Sequence, residues 1–140
     1  IAYNLEAMMG LNVPVVCVVI GEGGSGGALA IGIGNHVHML EHAVYSVISP
    51  EAASAILYRE QGRAQQAAEA LKPTAQDLKT LGVVDDIIEE PRGGAHKDHV
   101  EMAQRLADKV TASLDELASL SGEELVAQRV ARFRQLGRTA

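Results

Sequence analysis

The feature that most constrains this chain is an apolar run followed at once by a glycine-rich segment. The run "VPVVCVVI" (13–20) is rich in β-branched residues, which is typical of a strand covered on both faces in a parallel sheet. In the segment "GEGGSGGALAIGIG" (21–34), the residues from Ser25 to about Ile33 predict a short helix of small residues. The sequence therefore predicts an α/β fold with a glycine loop between a strand and a helix.

One interpretation of the glycine-rich segment is a dinucleotide-binding loop, because residues 21–26 match the pattern G-x-G-x-x-G. That fold needs a helix of ten or more residues and an acidic residue about twenty residues further on. Here Gly32 and Gly34 are expected to end the helix early, and Glu41 is the next acidic residue, after about fifteen residues. A single fingerprint of this kind is a weak signal.

A second interpretation is a hydrolase nucleophile elbow, because residues 23–27 match G-x-S-x-G with Ser25 as the nucleophile. A serine beside a helix start is more often an N-cap, which is the alternative for Ser25. The elbow also needs an acid and then a histidine, which the later residues Asp85 or Asp86 and His96 or His99 nominally supply.

A third interpretation is an oxyanion-binding site formed by the backbone N–H groups of Gly26 and Gly27. The first N–H groups of a helix have no intrahelical acceptor, and the helix dipole attracts negative charge to them. Glycine leaves these groups unshielded, and fixed donors of this kind stabilise a developing oxyanion. The structural alternative is that the glycines only let the helix and the strand pack closely.

Charge and composition exclude several classes of protein. The net charge is −6 without a basic cluster, which argues against nucleic acid as a partner. The chain contains no run of eighteen apolar residues, so no membrane-spanning helix is predicted. The first residues lack the pattern of a signal peptide. The single cysteine, Cys17, has no partner for an internal disulfide and fits a reducing compartment. The first Lys or Arg is Arg59, so the first 58 residues are expected to be surrounded by other structure.

The remaining elements follow from local signals. Three helix starts are predicted from N-cap patterns, at Ser49, Thr74 and Ser121. Apolar residues three and four apart form a stripe that predicts one long amphipathic helix over 98–118; they are Val100, Ala103, Leu106, Ala107, Val110, Leu114 and Leu117. We further expect a helix at 2–9 and strands at 36–40, at 43–48 and in "VVDDII", and we expect "PRGGAHKD" (91–98) to be a turn before the long helix.

Three histidines, His36, His38 and His42, lie on one predicted strand and the turn after it. Alternation places His36 and His38 on the same face of the strand. Two such histidines can bind zinc, but no cysteine or acidic residue at ligand spacing completes a site. We therefore expect a solvated strand face and no metal in this chain.

Three segments together, "VPVVCVVIGEGGSGGALAIGIGN", "YSVISPEAASAILY" and "LGVVDDIIEEPRGGAHKD", carry a family resemblance. The chain resembles the α subunit of the carboxyltransferase of multi-subunit acetyl-CoA carboxylase and, more generally, the crotonase superfamily. The resemblance implies a partial crotonase-like (ClpP/crotonase) ββα spiral with C-terminal helices. It also implies a C-terminal portion of the subunit, with part of the carboxyltransferase core at 1–97 and amphipathic helices at 98–140.

The resemblance further implies an activity. The family transfers a carboxyl group from carboxybiotin, held on a biotin carboxyl carrier protein, to acetyl-CoA, which gives malonyl-CoA for fatty acid synthesis. It implies that Gly26 and Gly27 are the oxyanion donors, and we expect Gly23, Gly24 and Ser25 to bind substrate. The implied partners are a carboxyltransferase β subunit, which holds the family's zinc, and the carrier protein, in an α2β2 assembly. The implied location is the bacterial cytoplasm or the plastid stroma.

Two alternatives remain open at this point. A crotonase-type hydratase, isomerase or thioesterase acts on acyl-CoA and usually has a glutamate on or next to the glycine-opened helix. In this chain Ala28, Leu29 and Ala30 occupy that helix. The other alternative is a non-catalytic assembly fragment whose glycines only pack.

Overall fold

Two small parallel sheets form the frame of the protein. The computed structural model describes residues 2–60 and 62–137. One sheet has the strand order β1-β3-β5, and the other pairs β2 with β4. The elements in chain order are α1 (Ala2–Met9), β1 (Val16–Val19), β2 (Glu22–Gly24), α2 (Ser25–Ile31), β3 (His36–Leu40), β4 (Val44–Ser46), α3 (Pro50–Tyr58), α4 (Ala64–Leu71), α5 (Ala75–Thr80), β5 (Asp86–Ile88), α6 (His99–Leu117) and α7 (Gly122–Gln135).

The strand pairing places the glycine loop beside the second sheet. In the larger sheet, Cys17 of β1 lies opposite Val37 of β3. In the smaller sheet, Gly23 of β2 lies opposite Tyr45 of β4. Parallel strands cannot be joined by a tight hairpin, so helical crossovers connect them and cover the sheet faces. The main core forms there, and its most buried apolar members include Val19, Val37, Met39, Leu40, Ile88 and Met102.

Two adjacent carboxylates at the start of β5 anchor three helices. Asp86 accepts a hydrogen bond from Lys79 of α5 at 2.6 Å and another from Lys109 of α6. Asp85 pairs with Arg132 of α7 at 2.5 Å and accepts from the backbone N–H of Val37 at 2.7 Å. The two lysines hold the pKa of Asp86 far below its usual value.

The capping signals in the sequence are confirmed. The side chain of Ser49 accepts from the backbone N–H of Ala52, and Thr74 caps α5 in the same way. Ser121 and Glu124 form a complete capping box at the start of α7. The helices begin where predicted because each signal acts within a single turn.

The long helix predicted over 98–118 is confirmed as α6, but its buried face differs from the predicted apolar stripe. Met102, Ser113 and Leu117 are its buried residues. Two members of the predicted stripe, Val100 and Leu114, are 77% and 40% exposed. Leu117 of the stripe is buried and Leu106 packs half-buried against the core, so the packed face overlaps the predicted stripe only in part.

Candidate active site

The glycine loop places two backbone donors at the start of α2. Gly24 is the N-cap in an extended conformation, so Gly26 and Gly27 are the second and third residues of the helix. N–H groups in this first turn have no acceptor within the helix. Gly27 is exposed and Gly26 is half-buried. The geometry therefore offers adjacent donors at the positive end of a helix dipole.

Packing accounts for some of the loop glycines and not for others. A Cβ on Gly23 would lie 2.8 Å from Cδ2 of Tyr45, and one on Gly34 would lie 2.7 Å from the carbonyl oxygen of His36. Both positions exclude a side chain. A Cβ on Gly27 would meet no described atom within 4 Å. Close packing therefore explains Gly23 and Gly34 but gives no reason for glycine at position 27.

Ser25 is the first residue of α2, and its backbone is in the left-handed region with φ 53°. The expectation that Ser25 is an N-cap is wrong, because Gly24 occupies that position. A non-glycine residue with this φ is strained, which is also the backbone condition of a nucleophile elbow. Ser25 is exposed and projects from the point where the strand turns into the helix.

Two cavities meet at Ser25. One has a volume of about 250 Å³ and is mostly apolar, with Tyr45 and Phe133 in its wall. The other has a volume of about 310 Å³ and includes Glu22 and Pro50. Among the described residues that line either cavity, none is a histidine or an aspartate. The structure therefore does not bring the acid and base of a hydrolase triad to Ser25.

The expectation of a solvated histidine face is wrong for His38. His38 is 2% exposed, and its Nε2 lies 2.7 Å from the hydroxyl of Ser113 on α6. The ring of His36 meets it edge-on with centroids 5.9 Å apart. Burial lowers the pKa of His38, and the nearby Lys109 lowers it further. The error arose because alternation shows which residues share a face but not what covers that face.

The third histidine, His42, lies in the turn after β3 and contacts Glu90. Glu90 accepts from the backbone N–H groups of His42 at 3.0 Å and of Ala95 at 2.7 Å. Gly93 and Gly94 have φ values of 90° and 105°, which confirms the predicted turn before α6. Within 2–60 and 62–137, no three His, Cys, Asp or Glu side chains are grouped to hold a metal ion. No helix in these ranges is both long and apolar enough to cross a membrane.

Comparison with solved structures identifies the class of fold. The chain matches a transcarboxylase 12S structure with a TM-score of 0.64 at 23% identity, over 84% of this chain and 22% of that one. It matches a Pseudomonas malonate decarboxylase hetero-tetramer with a TM-score of 0.63 at 19% identity, over 96% of this chain and 56% of that one. It matches an enoyl-CoA hydratase/isomerase from Pseudoalteromonas atlantica with a TM-score of 0.52 at 22% identity, over 93% of this chain and 52% of that one. The fold is crotonase-like, as predicted.

Sequence comparison then gives the family. The model of the family described as "Acetyl co-enzyme A carboxylase carboxyltransferase-like" matches residues 1–137. The chain is 59% identical over all 140 residues to the acetyl-coenzyme A carboxylase carboxyl transferase subunit alpha of Geobacillus thermodenitrificans, and 58% identical to that of Geobacillus kaustophilus. It spans 43% of the length of both relatives. This chain belongs to the acetyl-CoA carboxylase carboxyltransferase family.

Proposed function

We propose that this chain works in the carboxyltransferase of acetyl-CoA carboxylase, which makes malonyl-CoA for fatty acid synthesis. The observation that carries the proposal is the family match over residues 1–137. The loop supports it, since Gly23, Gly24 and Ser25 line a cavity of about 310 Å³ and the next two residues are the glycines in the first turn of α2. A crotonase-type hydratase is less well supported, because α2 (Ser25–Ile31) carries no acidic side chain.

In this proposal the backbone of α2 holds an oxyanion. Carboxybiotin supplies the carboxyl group when its carrier protein brings it to the site. The N–H groups of Gly26 and Gly27 donate hydrogen bonds to the ureido oxygen of biotin, where negative charge develops as the carboxyl group leaves. Gly23, Gly24 and Ser25 form the adjoining wall for the substrate. The open position of Gly27 fits this role, because a Cβ there would meet no described atom within 4 Å.

The proposal includes the partners of the activity: a carboxyltransferase β subunit in an α2β2 assembly, and a biotin carboxyl carrier protein. Exposed apolar side chains around the cavities support a covering partner. Leu29 and Val47, which line the smaller cavity, are 50% and 64% exposed, and Val44 on the larger one is 41% exposed. Exposed apolar side chains around cavities are typical of an interface. The proposed location is the bacterial cytoplasm or the plastid stroma.

The division of the chain into a core at 1–97 and helices at 98–140 also stays a proposal. Residues 1, 61 and 138–140 of these two segments lie outside the described residues. The helices α6 and α7 account for most of the second segment, and Asp85 and Asp86 tie both helices to β5.

Substitution of the two donor glycines tests the proposal. The assay uses the full polypeptide that carries these residues, together with a β subunit and the carrier protein. Gly26→Val and Gly27→Val crowd the donor N–H groups, and we expect carboxyl transfer from malonyl-CoA to biotin to fall by roughly 10²–10³. The Michaelis constant for malonyl-CoA should change much less, because the donors serve biotin.

Gly62→Val is the matched control, since a Cβ there also meets no described atom within 4 Å and the residue lies between α3 and α4, outside the glycine loop. It should transfer carboxyl groups at the normal rate. If the Gly26 and Gly27 variants fold, assemble and also react at a near-normal rate, the donor assignment is wrong.

A further inference from the structure

A single buried side chain, Tyr45 of β4, contacts the glycine loop and the helix that follows it. Its hydroxyl donates a hydrogen bond to the carbonyl oxygen of Ala28 on α2. Its ring would lie 2.8 Å from a Cβ on Gly23, and its hydroxyl oxygen 3.1 Å from a Cβ on Gly32. Tyr45 therefore contacts the chain before, within and after the first turns of α2. No motif of the sequence points to this residue; its one signal is a phenol within a mainly apolar strand segment.

The backbone of Tyr45 is itself held firmly. It is paired in register with Gly23 of β2, and its N–H donates to the carbonyl oxygen of Pro73 at 3.0 Å. The side chain is 8% exposed, and burial raises the pKa of the phenol, so the hydroxyl keeps its proton and acts as a donor. The Tyr45 hydroxyl is thus a fixed donor that joins β4 to the seven-residue helix α2.

The acceptor of this hydrogen bond does not need it for its own satisfaction. The carbonyl oxygen of Ala28 also accepts from the backbone N–H of Gly32 at 3.0 Å. Removal of the Tyr45 hydroxyl therefore leaves no orphaned polar group, and its stability cost is small. The bond is placed to orient α2, and the glycines at positions 23 and 32 make room for the tyrosine.

We propose that Tyr45 is a positioning residue that fixes the orientation of α2 and thereby aims the N–H groups of Gly26 and Gly27 at the reacting oxygen. This inference rests on the proposed function, which makes those N–H groups the oxyanion donors. Misplacement of a catalytic group by a fraction of an ångström to 1 Å is enough to slow a reaction substantially.

The test is Tyr45→Phe, which removes only the hydroxyl. In the assembled enzyme we expect kcat for carboxyl transfer to fall between about 10-fold and 100-fold. The Michaelis constant for acetyl-CoA should stay within about twofold, because ground-state binding does not use the donors. The matched control is Tyr58→Phe, a half-buried tyrosine of α3 whose ring lies 5.4 Å from the guanidinium carbon of Arg63. It should leave kcat unchanged.

A second variant keeps the inference testable if Tyr45→Phe fails to fold. Gly32→Ala adds a methyl group 3.1 Å from the Tyr45 hydroxyl, which must shift by a few tenths of an ångström to admit it. It should lower kcat in the same way, and combining it with Tyr45→Phe should add little, because both act on one contact. An unchanged kcat in the Tyr45 variant, or in the Gly32 variant if the first does not fold, overturns the inference.

Gly27→Val, measured in parallel, separates the two proposals. If Gly27→Val is slow while Tyr45→Phe is normal, the donors are real and the positioning role is wrong. If Gly27→Val is itself normal, the donor assignment fails and the positioning role fails with it.

Discussion

The most testable stability prediction concerns Arg129 of α7, which is fully buried. Its guanidinium donates to the backbone carbonyl oxygens of Met9 at 3.1 Å and Val13 at 3.2 Å, and also to that of Leu11. It donates to Oδ1 of Asn35 at 2.7 Å. All of these acceptors are uncharged. The side chain thus ties α7 to the segment between α1 and β1.

Substitution of Arg129 by Met keeps much of the volume and removes every donor. The amide oxygen of Asn35 retains the backbone N–H of Val15 at 3.1 Å, so three carbonyl groups lose this donor. A sealed unsatisfied group costs about 1–3 kcal/mol, and relief of the buried charge offsets part of the sum. Because the segment at 9–13 is partly exposed, water satisfies some of the carbonyls. We expect a net loss of about 3 kcal/mol in the free energy of unfolding.

Urea unfolding followed by circular dichroism measures this loss. The control is Arg134→Met on the same helix, where the side chain is exposed and the change should stay within about 0.5 kcal/mol. Arg129→Lys should lose nearly as much as Arg129→Met, because an ammonium group cannot reproduce the planar fork. A loss below about 1 kcal/mol in Arg129→Met would falsify the reasoning, since it would mean that the hydrogen bonds only offset desolvation.

Three further predictions follow from single side chains. His38 is buried and its pKa is lowered, so below about pH 6.5 the unfolded chain binds more protons than the folded one. The free energy of unfolding should therefore fall as the pH drops below that value. Thermal melting should show this loss in the natural chain and not in His38→Phe. Asp86→Asn weakens the ties to Lys79 and Lys109 and should cost about 1 kcal/mol, less at high salt, as measured by urea unfolding. Ser25→Gly should raise stability by about 1 kcal/mol, because glycine adopts a φ of 53° without strain. Ser25 should also resist a fluorophosphonate probe, and labelling would restore the nucleophile elbow.

Helices with local start signals could be predicted from the sequence, whereas one strand could not. The caps at Ser49, Thr74 and Ser121 act within a turn and need no tertiary contact. The strand β2 (Glu22–Gly24) has the sequence EGG, which has little intrinsic preference for a strand. It exists because β4 lies beside it, and pairing of that kind depends on the fold.

In the candidate site, too, features that depend on local sequence could be predicted, and features that depend on tertiary contacts could not. Gly26 and Gly27 were predicted as donors because the order of strand, glycines and helix is local. The contribution of Tyr45 could not be predicted, since it depends on β4 lying beneath α2. The burial of His38 depends in the same way on Ser113, which is 75 residues away and packs on that face of β3.

The loop glycines provide a last prediction, which separates packing from catalysis without an activity assay. Gly27→Ala places a methyl group in open space at the third residue of α2 and should leave stability unchanged or raise it by up to about 1 kcal/mol. Gly23→Ala forces the ring of Tyr45 to move and should cost about 1–3 kcal/mol. Gly34→Ala should cost at least as much, because the atom it meets at 2.7 Å is the backbone oxygen of His36, which cannot rotate away.

Urea unfolding of the three variants gives the comparison. Equal destabilisation at positions 23, 27 and 34 would show that every loop glycine is needed for packing, and the structural reason for assigning Gly27 to the oxyanion site would be lost. If the Gly27→Ala variant is as stable as the natural chain, packing does not require glycine at position 27. That result would support the proposal that this glycine serves the oxyanion site, since an added methyl contacts no described atom of the folded chain.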